Sequence, residues 1–92
     1  MIKYRGVEEF IKDVQHKLSM QYPGKYSINW IEPKCFHLVW FSKETKNMKA
    51  IFELRKRDIH WEVTYNGNKG ELYIDTYTKV NHTQYPKQKE EE

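Results

Sequence analysis

The side chains best suited to chemistry are four histidines, His16, His37, His60 and His82, and one cysteine, Cys35. No two histidines stand at a zinc-site spacing, and Cys35 has no second cysteine to ligate beside it. Cys35 and His37 are two apart, hence on one side of a strand, where a thiol–imidazole nucleophile pair would be the chemistry. On the central strand expected there, Cys35 reads instead as a small buried apolar residue. The carboxylates fall in no catalytic spacing. Glu53 and Glu62 share a sheet face with Arg55 and His60, which a solvated salt-bridge face explains. Gly6, Gly24, Gly67 and Gly70 form no phosphate-cradling loop that leads into a helix. No catalytic set, metal site or cofactor site is expected, and Asn81-His82-Thr83 reads as an incidental sequon.

Nucleic-acid chemistry has more support. Lys49, Arg55, Lys56 and Arg57 are the candidate phosphate contacts, clustered on one strand and its turn, and Tyr73 and Tyr77 could stack on bases. The string Lys69-Gly70-Glu71-Leu72-Tyr73-Ile74-Asp75-Thr76 resembles the RNP1 pattern of RNA recognition motifs at Lys69, Gly70, Tyr73 and Ile74. It departs from that pattern at Glu71, Leu72 and Thr76. The motif's fold also needs two helices between strands, and this chain offers one, so membership is rejected.

Charge and composition narrow the classes. The 92 residues carry 16 basic and 13 acidic side chains, a formal +3. The last three residues are Glu90, Glu91 and Glu92, so residues 1–89 hold 16 basic against 10 acidic. That is a mild attraction to polyanions, short of a dedicated basic stripe. An aromatic content of 15% argues for a packed fold, and the length suits one core. No run approaches the roughly 20 apolar residues of a membrane span, and Met1 to Gly6 lacks a signal-peptide pattern. A lone cysteine fits a reducing cytoplasm. Usage rich in Lys, Asn, Ile and Tyr suggests an accessory protein of a low-GC bacterium or its phage.

The elements that position these side chains follow from periodicity. Val7, Phe10, Ile11, Val14, Leu18 and Tyr22 recur at spacings of three and four, the stripe of a helix. Glu8 suits the helix start, Glu8–Lys12 and Asp13–Lys17 are favourable pairs, and Pro23-Gly24 ends the element. After Gly24 the period becomes two. Tyr26, Ile28 and Trp30 alternate; Cys35 to Ser42 is apolar on both faces, marking a central strand; residues 48–55, 59–65 and 72–77 alternate again. A turn at Lys56-Arg57 sets Phe52 opposite Trp61 and Ala50 opposite Val63. A loop at Asn68-Lys69, or over Gly67 to Gly70, sets Tyr65 opposite Leu72 and Val63 opposite Ile74.

The expected fold is α+β, one N-terminal amphipathic helix on a four- to five-stranded antiparallel meander over residues 1–80, with a polar, flexible tail over 81–92. One helix covers one face of such a sheet. The open face would carry Ile51, Tyr73, Tyr77 and either Val39 with Phe41 or Trp40 with its neighbours, unless Ile2 and Tyr4 or the tail fold over it. The expected function is a non-enzymatic binding protein, a regulator or stoichiometric inhibitor, using Trp40, Phe41, Ile51, Tyr73 and Tyr77 against a protein partner or a second copy of itself. Nucleic-acid binding is the alternative, and no membrane contact is expected.

Overall fold

A computed structural model describes residues 2–54 and 57–78. Helix α1 spans Val7–Gln21. A short 3-10 turn, Pro33–Cys35, precedes β1 (Phe36–Glu44), β2 (Asn47–Leu54), β3 (Ile59–Asn66) and β4 (Glu71–Thr78). The strands form one antiparallel sheet in the order β1-β2-β3-β4. Arg55, Lys56 and the expected tail over 81–92 lie outside the described residues.

The helix forms where its stripe predicts. Phe10, Val14 and Leu18 are fully buried, each worth about 1.5–3 kcal/mol relative to exposure. Lys12 pairs with Glu8 at 3.4 Å and Lys17 with Asp13 at 3.0 Å on the outer face. The stripe lies on one face of the sheet. There Phe36, Ala50, Phe52, Trp61, Val63 and Tyr65 complete the core, with the Phe36 and Trp61 rings 5.2 Å apart, edge to face.

Hairpin registers are those expected from matched pairs. Phe52 faces Trp61 and Ala50 faces Val63; Val63 faces Ile74 and Tyr65 faces Leu72. The β3–β4 connection is the four-residue form. Asn66 Oδ1 accepts from the backbone N–H groups of Asn68 and Lys69, and Gly70 closes the loop at φ 65°. Gly67 is required for a different reason. A Cβ there would stand 2.1 Å from the Lys46 carbonyl oxygen, so this loop packs directly on the β1–β2 turn.

Three sequence expectations change. The alternating segment Tyr26 to Trp30 is turn and coil, with Tyr26 92% and Ile28 100% exposed, so the sheet has four strands. Alternation marks what a strand could bury, but no neighbouring edge pairs with this segment. Second, β1 is an edge strand and not a central one. Its two-sided apolar pattern comes from a bulge between Leu38 and Trp40. One extra residue there shifts the phase of the pleat, so Leu38 pairs with Phe52 and Phe41 with Ala50 on the helix face, while Trp40 pairs with Ile51 on the other. Third, Cys35 ends the 3-10 turn and is exposed, outside the sheet.

The N-terminal segment packs on the helix side. Tyr4 sits edge-on to Phe10 and Tyr65, at 5.3 Å and 4.8 Å between centroids. Ile2 donates its N–H to Gly70 O and accepts from the Tyr65 hydroxyl. Neither Ile2 nor Tyr4 covers the opposite face, so among the described residues that face stays open.

Candidate functional site

Strand pairing lays the open face out as rows of side chains. One row runs Trp40, Ile51, Glu62, Asp75; the row beside it runs Ser42, Lys49, Thr64, Tyr73; the row on the other side runs His37, Glu53, His60, Tyr77. The bulge turns Trp40 outward, leaving it 47% exposed against half-buried Ile51. With Lys49 and Glu62 these two line a shallow hollow of about 400 Å³. Val39, the residue the bulge leaves unpaired, is 55% exposed beside it on the sheet edge.

The residues expected to bind a partner do not form one patch. Trp40 and Ile51 adjoin. Phe41 leaves the set, because the phase shift sends it to the helix face, 6.1 Å from the Phe10 ring. Tyr73 and Tyr77 stand on β4 at the far edge, three strand spacings or about 14 Å from Trp40. Tyr77 stacks on His60 with 5.1 Å between centroids and 13° between planes. The Tyr73 hydroxyl donates to Glu71, which raises the phenol's pKa. The sequence offered Val39 to the open face only together with Phe41, and it did not single out the His60–Tyr77 stack. A bulge has no signature in alternation, and stacking across a hairpin needs the register first.

Electrostatics distinguish this face more than its apolar content does. Among the described residues it carries the carboxylates Glu44, Glu53, Glu62, Glu71 and Asp75 against one cation, Lys49. Of the expected phosphate contacts, Lys49 stands beside Thr64 in this acidic field. Arg57 lies in the turn beyond Glu53, next to Asp58, and Arg55 and Lys56 lie outside the described residues. A nucleic-acid backbone laid on this face would meet more carboxylates than cations.

Among the described residues no three His, Cys, Asp or Glu side chains gather to hold a metal ion. Glu53 faces both His37 and His60 across the strands, on an open surface. No helix among the described residues is long and apolar enough to cross a membrane.

Comparison with known proteins adds one assignment. The profile of a family described as "Family of unknown function (DUF6275)" matches residues 8–87, from the first turn of α1 past the end of β4. The chain belongs to that family. The match takes in the helix, the whole sheet and therefore both of its faces. No curated protein and no solved structure matches the chain.

Proposed function

We propose that the chain is a non-enzymatic binding protein whose open sheet face docks a protein segment rich in Lys and Arg, as a regulator or stoichiometric inhibitor acting in the cytoplasm. The observation that carries this reading is the outward Trp40. A bulge on the edge strand holds a large aromatic ring against Ile51, beside Glu62 and with Asp75 further along the same row. An apolar side chain of the partner would fill the hollow, and its cations would meet the surrounding carboxylates. Aromatic anchors of this type dominate interface energies, while flanking charge sets partner choice and association rate. Self-association through this face would press like charges together, which disfavours the homodimer.

The test is site-specific photo-cross-linking in cells that express the chain. Cross-linkers at Ile51 and Thr64 should capture the same protein, and one at Lys12 on the outer helix should not. Trp40→Ala and Glu62→Lys should each abolish capture while the circular dichroism stays that of the wild type. Capture that persists in both variants, or that yields only a second copy of the chain, would sink the proposal.

A further inference from the structure

At one end of the sheet the β1–β2 turn, the β3–β4 loop, the N-terminal segment and the start of α1 surround a cavity of about 430 Å³. Lys3, Arg5, Lys43 and Lys46 line it, and no carboxylate does. We propose that this cavity binds a small ligand bearing two or more phosphate groups. The site is separate from the open sheet face, and neither proposal depends on the other.

The convergence is tertiary. Lys3 and Arg5 come from the N-terminal segment, while Lys43 is the last residue but one of β1 and Lys46 completes the turn that follows. Among the described residues none of the four makes an ion pair; the lysines that do are Lys12, Lys17 and Lys34. Four like charges around one cavity repel each other unless an anion lies between them. All four side chains are exposed, and the frame fixes the backbone segments that carry them. Ile2 is fixed on both sides of its peptide, by Gly70 O at 2.9 Å and the Tyr65 hydroxyl at 2.8 Å. Tyr4, between the two cations, donates its hydroxyl to Asp13 at 2.5 Å. On the opposite wall Gly67 packs on Lys46, and its N–H donates to Asn47 Oδ1 at 3.1 Å.

The surroundings favour an anion further. Gly6, the N-cap of α1, lines the cavity and has no side chain to satisfy the first helical N–H groups. Glu8 and Glu9 lie in that first turn, and Glu9 accepts from the Arg5 backbone N–H at 2.6 Å, so part of the dipole is already answered. The four side-chain cations are not. A cavity of this volume suits a small molecule. Several cations in separate directions match several phosphate oxygens better than they match one carboxylate.

Titration of the labelled full chain at low salt tests the idea, with tripolyphosphate, ATP and a twelve-residue oligothymidylate as probes. Tripolyphosphate and ATP should shift the amides of Gly6, Thr45 and Gly67 saturably. Lys43→Gln and Lys46→Gln should each weaken binding about tenfold, the loss of one charge-assisted contact. Lys25→Gln, in the loop after α1, should leave affinity unchanged. Circular dichroism identical to the wild type excludes a folding defect. The proposal is overturned if neither small phosphate saturates at millimolar concentration, if Lys25→Gln weakens binding as much as the cavity variants, or if only the oligonucleotide binds.

Discussion

The two faces of this sheet are built from alternate residues of the same strands, yet they obey different rules. On the helix face Phe52, Trp61 and Val63 are essentially sealed from water. One residue away along each strand, Ile51, Glu62 and Thr64 point to the other side. The first set supplies the folding energy. The second is free of that duty, and there carboxylates and isolated aromatic rings accumulate. On a sheet covered by a single helix, stability and recognition thus separate by residue parity, and mutations at neighbouring positions should report on different properties.

Adjacent positions of β2 give the largest expected contrast. Phe52→Ala should cost about 3–5 kcal/mol through the lost transfer energy and the cavity left behind. That is a large share of the roughly 5–15 kcal/mol such domains possess. Ile51→Ala, on a half-buried open-face site, should cost about 1 kcal/mol. Chemical denaturation of both variants measures the difference, and equal costs would show that the open face is packed as a core. Val14→Asp, which puts a charge into the same buried layer, should leave the domain unfolded.

Gly67→Ala comes next, because it acts where the two hairpin ends touch. The new methyl group would collide with the Lys46 backbone, which cannot rotate away. The expected loss is about 1–3 kcal/mol, the usual cost of overpacking, with amide shifts concentrated at residues 45–47. A wild-type midpoint would mean that the loop and the turn are not in contact.

Tyr4→Phe tests the helix side by pH. Burial, and then the hydrogen bond to Asp13, raise the Tyr4 phenol far above its usual pKa of 10.0. A raised folded-state value means that stability is intact below the unfolded pKa and falls as pH climbs beyond it. The wild type should therefore lose stability from about pH 10 upward more steeply than Tyr4→Phe, in parallel thermal melts. Parallel slopes would indicate that Tyr4 is solvated. The smallest stability effect belongs to Trp40→Ala, within about 0.5 kcal/mol, as for a surface substitution. Loss of partner capture without loss of fold is the outcome that separates the faces most sharply.

Local rules made much of this legible in the sequence. The helix could be read from Val7 to Gln21 because its period, its acidic start and the Pro-Gly stop all lie within one stretch of chain. Registers of β2–β3 and β3–β4 followed from matched residues on either side of short turns, since a one-residue slip would expose every core side chain. Tertiary structure alone decided the rest. Whether Trp40 or Phe41 faced outward depended on a bulge, which adds a residue without changing the apolar pattern. Tyr26, Ile28 and Trp30 alternate like a strand, but strands exist by pairing, and neither edge of the sheet takes this segment up. The cations of the end cavity come from residues 3 and 5 and from residues 43 and 46. Only the docking of the N-terminal segment against Gly70 and Tyr65 brings them together, and no spacing along the chain encodes that contact.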